Sequence, residues 1–564
     1  MILGPVFKWI EAVFELIIPL LTADIIDHGV RAGDTAYVWH QSGIMLLLGF
    51  TGLCSALVCQ KLASVASQGF GTEVRGALYG KINSFSYSEI DRFGTPSLIT
   101  RITNDVNQLQ YAVAMLIRLV IRAPFLAIGA VIMAMTVDMT LSVIFLIATP
   151  LIALTLYVVM SRSIPYYRVI QKKLDRISLI AREGLSGARV IRAFSKQETE
   201  EKRFTDAAQD QAMTAVRVGR LSALLNPFTY MIMNFAVIAI VWFGGWRVNQ
   251  GNLTQGQIVA LVNYMNQTLL ALIVVANLVV TFTKAAASAA RVNEVFETRA
   301  SVPERNTDPV REIEGAPKIE LEHVDFSYDG TDKYALRDLS LRVRTGETLG
   351  IIGGTGAGKT TLINLIPRFY DATVGRVLVD GVDVRDYPFA QLRAKIGVVP
   401  QQAELFSGTI ADNLRWGRED ADDKKLEWAL SVAQAREFVA RLPQGIASPV
   451  NQGGKNFSGG QKQRLTIARA LVGEPEILIL DDSASALDFA TDAALRKALK
   501  SETKEMTVLI VSQRVSAIRS ADRILVLDDG AVAGIGTHEK LMADCAVYRE
   551  ICLSQLSREE AQPK

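Results

Sequence analysis

Apolar residues dominate the chain up to about residue 290, where they occur in long runs separated by short polar stretches. A helix needs about 20 mostly apolar residues to cross the hydrocarbon core of a bilayer. The pattern therefore predicts an α-helical transmembrane domain over residues 1–296. Its six predicted spans are residues 5–27, 40–66, 111–136, 139–162, 221–246 and 257–283.

The pattern changes after about residue 318. Short apolar segments alternate there with glycine-rich loops and charged helices, which is typical of an α/β domain. Between the two patterns lies Glu297–Pro317, a charged stretch with three prolines, and such a composition favours a linker. We therefore expect a linker over 297–317 and an α/β domain over 318–564.

The connections between the spans differ in length and charge. Those after the first, third and fifth spans are short, whereas those after the second and fourth are long and basic. By the positive-inside rule, the two long connections and both termini are expected in the cytoplasm. Both connections have a helical period, so we expect the spans to continue as long cytoplasmic extensions, each with a short break near its tip, at 88–106 and 183–200. These tips are either solvated loops or docking segments.

Composition narrows the possible partners. Lys and Arg number 60 and Asp and Glu 58, so no charge excess favours nucleic acid as a partner. Nearly half of the residues are hydrophobic, which indicates a lipid bilayer as the main surrounding. Polar residues inside the spans are candidates for a substrate path; they are Arg118, Arg122, Asn234, Asn263, Asn266, Gln267 and Asn277.

A glycine-rich segment predicts an ATP site. GGTGAGKTT fits G-x-x-x-x-G-K-[ST], follows an apolar strand and opens a helix, the context in which this motif cradles phosphates. Lys359 is predicted to reach the β and γ phosphates, and the Thr360 hydroxyl to hold Mg²⁺. The predicted ATP-binding residues of this phosphate loop are Gly353, Gly354, Thr355, Gly356, Ala357, Gly358, Lys359, Thr360 and Thr361.

A second segment, ILILDDSASALD (Ile477–Asp488), runs from four apolar residues into two aspartates. An apolar run that ends in an acid is typical of a buried parallel strand that brings a carboxylate to a metal. We therefore predict Asp481 as the carboxylate linked to Mg²⁺.

A third segment, NFSGGQKQRLTIARAL (Asn456–Leu471), begins with a Ser-Gly-Gly turn and continues as a basic amphipathic helix. It resembles the signature motif of ATP-binding cassette (ABC) proteins. Other positions fit that resemblance: Tyr328 matches the aromatic that stacks on adenine, and Gln401 matches the glutamine that senses magnesium and the membrane domain. Ser485, Ala486, Leu487 and Asp488 match the loop that crosses to the facing nucleotide domain.

The resemblance extends over the whole chain, because six spans followed by such a P-loop ATPase domain are the layout of an ABC exporter half-transporter. It implies a dimer in which each ATP lies between the phosphate loop of one chain and the signature motif of the other. The motif that this chain lends to its partner is Ser458, Gly459, Gly460 and Gln461. The cytoplasmic tips then resemble coupling helices.

Two positions depart from the family pattern. The residue after the metal-linked Asp is normally Glu, but here it is Asp482, whose side chain is one methylene shorter. The switch position, normally His, holds Gln513, a neutral amide that cannot carry imidazolium charge. Both changes belong to the site built on this chain's own phosphate loop. They resemble the degenerate site of a heterodimeric exporter, whose other subunit would carry Glu and His.

The predicted function is therefore that of one subunit of an ATP-hydrolysing exporter of amphipathic compounds, of multidrug type, in a bacterial cytoplasmic membrane. A lipid or peptide exporter subunit and a homodimeric exporter are the alternatives. An ATP-gated channel or regulator is less favoured, because the sequence has no long regulatory insertion and no charged pore row. The sequence does not specify the substrate.

Overall fold

The computed structural model describes residues 3–305, 307–328, 333–483, 485–503 and 505–555. The chain divides into two compact units. The first is Met1–Asn83 with Pro96–Thr298, and the second is Ser84–Thr95 with Arg299–Lys564.

The first unit is helical. Its longest helices contain 49, 45 and 43 residues, which at about 1.5 Å per residue is about twice the thickness of a hydrocarbon core. Short π-helical turns lie at Ile25–Val30, Arg101–Asp105 and Leu116–Val120. The helices up to the end of this region are α1 (Leu3–Asp24), α2 (Thr35–Asn83), α3 (Tyr87–Phe93, which belongs to the second unit), α4 (Thr95–Thr100), α5 (Val106–Met115), α6 (Arg122–Val137), α7 (Ser142–Ser186), α8 (Ala188–Ala193), α9 (Gln197–Ala223), α10 (Leu225–Asn249) and α11 (Gln255–Glu297).

Within the described residues, five helical stretches are long and apolar enough to cross a membrane: Thr35–Asn83, Thr95–Val137, Ser142–Ser186, Gln197–Asn249 and Gln255–Glu297. Large apolar side chains such as Trp39 and Trp242 are exposed on their outer faces, as expected for surfaces that face lipid.

The first predicted span overlaps α1, which carries three charged residues near its start, Lys8, Glu11 and Glu15. These charges are paired. The Lys8 ammonium lies 2.6 Å from Glu11, and the Arg122 guanidinium lies 2.6 Å from Glu15. The Gln267 amide donates to the Glu15 carbonyl at 3.1 Å. Arg122 and Gln267, two of the predicted intramembrane polar residues, therefore make contacts within the protein.

The second unit contains a six-stranded sheet in the order β12-β11-β3-β10-β9-β6, parallel except for β12, and a four-stranded antiparallel sheet in the order β2-β1-β4-β5. Its strands are β1 (Ile319–Phe326), β2 (Leu336–Val343), β3 (Thr348–Gly353), β4 (Val374–Val379), β5 (Val382–Asp383), β6 (Ile396–Val399), β7 (Gly408–Thr409), β8 (Pro449–Val450), β9 (Ile477–Asp481), β10 (Thr507–Val511), β11 (Arg523–Asp528) and β12 (Ala531–Gly536). Its further helices are α12 (Lys359–Leu365), α13 (Phe389–Ala394), α14 (Ile410–Arg415), α15 (Asp423–Val432), α16 (Arg436–Ala440), α17 (Gly459–Val472), α18 (Phe489–Glu502), α19 (Val515–Ile518), α20 (His538–Asp544) and α21 (Ala546–Gln555).

The parallel strands position the site. Every residue of β9 is buried, and so are all but the first residue of β3, as expected for strands covered on both faces. In register, Val511 of β10 pairs with Ile351 of β3 and Asp481 of β9. The carboxyl ends of these strands therefore meet at one edge of the sheet, where ligands bind in open α/β sheets.

The two predicted cytoplasmic tips differ. The first contains α3, which belongs to the second unit together with the α/β domain. The second contains α8, none of whose residues is buried. The apolar side chains of Val190 in α8, and of Leu185 and Phe194 on either side of α8, are largely exposed.

Candidate ATP site

The phosphate loop connects β3 to α12 and depends on glycine. Gly356 and Gly358 have φ angles of +83° and +92°, in the left-handed region that glycine adopts without steric cost. A Cβ atom on Gly358 would also lie 2.6 Å from the carbonyl oxygen of Ala335. The sequence GAGK therefore closes a tight turn that directs the loop into the helix at Lys359.

Lys359 lies at the centre of the site. Its Nζ atom donates to the carbonyl oxygens of Gly353 at 2.9 Å and Gly354 at 2.7 Å. Burial lowers the pKa of Lys359, while the carboxylates of Asp481 and Asp482 act in the opposite direction. An ammonium in such a place is suited to bind an anionic phosphate.

Thr360 and Asp481 form the predicted magnesium pair. The Thr360 hydroxyl lies 3.2 Å from Oδ2 of Asp481, the buried last residue of β9. Burial raises the pKa of Asp481, and the neighbouring Asp482 carboxylate adds to that shift, so a cation beside it would stabilise its charged form. A hydroxyl and a carboxylate oxygen are hard donors that fit Mg²⁺. When bound there with ATP, the ion would neutralise phosphate charge.

Asp482 has a backbone that few non-glycine residues adopt, with a φ angle of +43°. Hydrogen bonds hold it there: its amide donates to the Val511 carbonyl at 2.9 Å, and its own carbonyl accepts from the Ser485 hydroxyl at 2.8 Å. Burial raises the pKa of the Asp482 carboxyl, against the charges of Arg514 and Lys359. Nε2 of Gln401 lies 3.5 Å from Oδ2 of Asp482, at the outer limit of a hydrogen bond.

These groups surround a cavity of about 420 Å³ within the second unit. Ala335, Val511 and Ser512 line it but were not predicted from the sequence; Val511 and Ser512 could have been inferred, because they end and follow β10. Gly353 and Gly354 support the loop without lining the cavity. The predicted residues that line it are Tyr328, Thr355, Gly356, Ala357, Gly358, Lys359, Thr360, Thr361, Gln401, Asp481, Asp482 and Gln513.

Tyr328 lies at the rim of the cavity and is about half exposed. Its hydroxyl forms a hydrogen bond with the Thr361 hydroxyl at 2.9 Å. Its ring meets Phe326 and Tyr370 edge-on, with centroids 4.8 and 5.3 Å apart. The role of Tyr328 in stacking on adenine remains a prediction, and an exposed ring fixed beside the phosphate loop is compatible with it.

The predicted signature motif lies on a different surface of the second unit. Ser458 caps α17: its hydroxyl accepts from the Gln461 amide at 3.3 Å, and the Gln461 side chain accepts from the Ser458 amide at 2.9 Å. This reciprocal capping box leaves Ser458 and Gly459 exposed at the start of the helix. A Cβ on Gly460 would lie 3.0 Å from the Ala486 carbonyl, so this glycine allows close packing on the predicted cross-dimer loop.

That loop, Ser485–Asp488, leads into α18. Asp488 accepts from the Thr491 amide at 2.9 Å as the helix cap, and this hydrogen bond lowers its pKa. Neither this loop nor the signature residues are among the residues that line the cavity. In one chain, the phosphate loop and the predicted signature motif therefore do not line the same cavity.

Comparison with known proteins agrees with this architecture. The family description ABC transporter transmembrane region matches residues 1–272, and the description ABC transporter matches residues 336–485. An uncharacterized ABC transporter ATP-binding protein of Mycobacterium tuberculosis (strain CDC 1551 / Oshkosh) is 39% identical over 97% of this chain and 94% of that protein. An ATP-dependent lipid A-core flippase of Syntrophus aciditrophicus (strain SB) is 32% identical over 91% of this chain and 85% of that protein.

Among solved structures, a bacterial Atm1-family ABC exporter with ATP bound has a TM-score of 0.83 and covers 98% of each chain. At 24% identity this likeness concerns the fold alone. It confirms the predicted fold class, a helical transmembrane domain followed by an ABC ATPase domain. The chain belongs to the ABC transporter family: it is a half-transporter that joins a transmembrane region to an ATP-binding cassette domain, in which ATP hydrolysis is coupled to transport.

Proposed function

We propose that this chain is the degenerate-site subunit of a heterodimeric exporter of amphipathic compounds. The observation that carries the proposal is the position of the two departures, Asp482 and Gln513, which line the same cavity as Lys359 and Thr360. The residues predicted to bind nucleotide and metal match the family, whereas the two predicted to act on the attacking water and the γ-phosphate do not.

The geometry of Asp482 supports slow hydrolysis at this site. A side chain one methylene shorter than Glu places its carboxylate about 1 Å further from an attacking water, and such a misplacement can cost about 100-fold in rate. The contact of Asp482 with Gln401 is long, at 3.5 Å. Gln513 offers only an uncharged amide. The site would therefore hold ATP with Mg²⁺ on Thr360 and Asp481 and release it slowly.

The signature motif supports a second chain. Half-transporters of this family commonly dimerise, and Ser458 and Gly459 are exposed where a partner's phosphate loop could meet them. This chain would complete a competent site on a partner that carries Glu and His.

The proposed domains are 1–296, a linker over 297–317, and 318–564; α11 ends at Glu297 and β1 begins at Ile319. The nucleotide domain and both termini would lie on the cytoplasmic side of a bacterial membrane.

A lipid exporter is the second candidate for the substrate class. It is favoured by the 32% identity to a protein named as a lipid A-core flippase. Both substrate classes are amphipathic. Reconstituted vesicles with a panel of fluorescent dyes and labelled lipids distinguish them: dye efflux without lipid translocation supports the multidrug type, and the reverse supports a lipid exporter.

The heterodimer is tested by purifying the chain alone and together with a half-transporter that carries Glu and His. The lone chain is expected to assemble poorly and to hydrolyse little ATP, whereas the pair should hydrolyse and transport. If the lone chain forms a stable homodimer that transports at the rate of the pair, the heterodimer proposal is wrong.

A further inference from the structure

Three tyrosines connect the rim of the ATP site to helix α3. We call Tyr328, Tyr370 and Tyr87 the aromatic bridge. The ring centroids of Tyr328 and Tyr370 are 5.3 Å apart, and those of Tyr370 and Tyr87 are 6.2 Å apart. Both distances lie in the range in which aromatic pairs attract each other. The bridge is therefore a continuous chain of ring contacts within the second unit.

Tyr370 is the central member and is nearly buried, with 9% of its surface exposed. Its hydroxyl donates to Oδ2 of Asp91 on α3 at 3.1 Å. Burial and the Asp91 carboxylate raise the pKa of Tyr370, so the hydroxyl remains protonated and able to donate at neutral pH. A hydrogen bond to a carboxylate is among the stronger ones in proteins.

The residues beside Tyr370 are held firmly. Arg368 is fully buried and donates to the carboxylate of Asp371 at 2.8 Å and to the Pro303 carbonyl at 2.9 Å. Phe369 lies against Tyr87, with ring centroids 4.6 Å apart. The segment 368–371 therefore has little freedom to absorb a movement of Tyr370.

Helix α3 is tied to the same region at its start. Ser86 and Glu89 form a capping box, the Ser86 hydroxyl lies 2.7 Å from that of Ser301, and Glu89 accepts from the Ser301 amide at 3.1 Å. A shift of Tyr370 would therefore change the packing of the whole short helix rather than of a single side chain.

We propose that Tyr370 is a positioning residue through which a purine ring stacked on Tyr328 stabilises the packing of α3, separately from the phosphate side of the site where Gln401 lies. This inference rests on the proposed function and on the prediction that Tyr328 stacks on adenine. Coupling between two sites is reciprocal, so a weakened α3 contact must weaken the binding of a ligand that carries the purine ring. It should not affect a ligand that has the phosphates alone.

The test compares ATP with inorganic tripolyphosphate, each with Mg²⁺, by calorimetric titration of the full-length chain in nanodiscs. Tyr370→Phe and Asp91→Asn each weaken the Tyr370–Asp91 hydrogen bond. Each is expected to reduce ATP affinity about threefold to tenfold, since only part of the contribution of a hydrogen bond to a charged group is transmitted to the adenine contact, and to leave tripolyphosphate affinity within about twofold. The double variant should be no weaker than either single variant, because both act on one bond.

Tyr387→Phe is the matched control. Tyr387 is also buried in this unit and donates to the Val379 carbonyl at 3.0 Å, but it is outside the bridge. It should leave the preference for ATP over tripolyphosphate unchanged. If Tyr370→Phe weakens the binding of both ligands equally, its role is merely structural. If the effects of Tyr370→Phe and Asp91→Asn are additive, the two residues do not act through one bond. Either result overturns the proposal.

Tyr328→Ala separates this inference from the prediction that Tyr328 contacts adenine, and neither outcome depends on the heterodimer of the proposed function. If it abolishes the preference for ATP while Tyr370→Phe and Asp91→Asn preserve that preference, only the role of Tyr370 is wrong. If the unaltered chain binds both ligands equally, the adenine contact of Tyr328 is wrong, and the inference about Tyr370 is overturned with it.

Discussion

The residues predicted to act on ATP lie in two regions of the chain that are built differently, the phosphate-loop half and the signature half. The phosphate-loop half is a cavity at the end of buried parallel strands, in which Lys359, Thr360 and Asp481 are close together. The signature half is an exposed helix start, fixed by the capping box between Ser458 and Gln461. Only the phosphate-loop half, which is the enclosed half, departs from the family pattern. In the proposed heterodimer, ATP binding and hydrolysis would be separated within one site, while the signature half that meets the partner matches the family pattern.

Within the enclosed half, the departures are confined to side-chain ends. The backbone that presents Asp482 is held by hydrogen bonds to Val511 and Ser485, and none of these depends on the length of the side chain. A substitution of Asp482 by Glu therefore leaves these backbone hydrogen bonds possible, and it can test the difference between the two halves.

The largest effect is expected at the signature half. In the assembled pair, Gly459→Asp should reduce ATP turnover about 10²–10³-fold, because a carboxylate there would repel the phosphates of the partner's competent site. Steady-state ATPase activity of the reconstituted pair measures it.

Gly459→Ala is the control for that variant. A Cβ at this position would lie 4.0 Å from the Cβ of Ala486, an ordinary contact, so Ala should fold and assemble normally and lose far less activity. Unchanged hydrolysis in the Gly459→Asp pair would contradict the assignment of the working site.

The sequence predicts the local motifs of the ATP site, but it does not predict contacts between residues far apart in the chain. The phosphate loop and Asp481 could be predicted because each motif is contiguous and local chemistry fixes its form. The positive φ of Asp482 could not, since it depends on bonds to β10. The contact between Tyr370 and Asp91 joins residues 279 positions apart, and the pairing of Glu15 with Arg122 joins residues 107 apart. Such contacts depend on tertiary packing, and a periodicity along the chain does not specify them.

A second effect is expected when the enclosed half is restored. Asp482→Glu combined with Gln513→His should accelerate hydrolysis at this site by up to about 100-fold, because the carboxylate regains about 1 Å of reach and the switch position regains a titratable ring. Single-turnover hydrolysis in a pair whose partner site has been inactivated isolates this site.

The controls are the single substitutions Asp482→Glu and Gln513→His. Each alone should recover less hydrolysis than the two together. Restored hydrolysis should also shorten the time for which ATP holds the domains closed, so substrate flux per ATP should fall. No acceleration in the double variant would show that some other feature of the cavity keeps this site slow.

A smaller effect is expected on stability. Burial raises the pKa of Asp482 above the value of 3.8 for a free side chain, so the unfolded chain releases this proton at a lower pH than the folded one. The free energy of unfolding therefore falls as pH rises from the pKa of the unfolded chain through that of the folded one. Asp482→Asn removes the buried charge and should raise the melting temperature at pH 7 in metal-free buffer without nucleotide.

The same variant should make little difference at pH 3, where the carboxyl is protonated in both states. Differential scanning fluorimetry at the two pH values measures the contrast. A lower melting temperature of Asp482→Asn at pH 7 would mean that the charged form is stabilised in the fold, contrary to the direction of its pKa.

The smallest effect concerns the rate of the assembled pair. Asp482→Asn should change steady-state ATP turnover by only a small factor, because the site it belongs to already contributes little. Removal of a working general base normally costs about 10²–10⁴-fold, and that loss is expected instead when the partner's equivalent Glu is changed to Gln. Both variants are measured in one reconstituted heterodimer, for ATPase rate and substrate flux. The Asp482 carboxylate lies 3.5 Å from Gln401. Loss of this contact in Asp482→Asn should reduce ATP affinity at this site more than it reduces turnover. A hundredfold fall in turnover from Asp482→Asn alone would show that Asp482 is the working base, and the distinction between a binding half and a working half would then be lost.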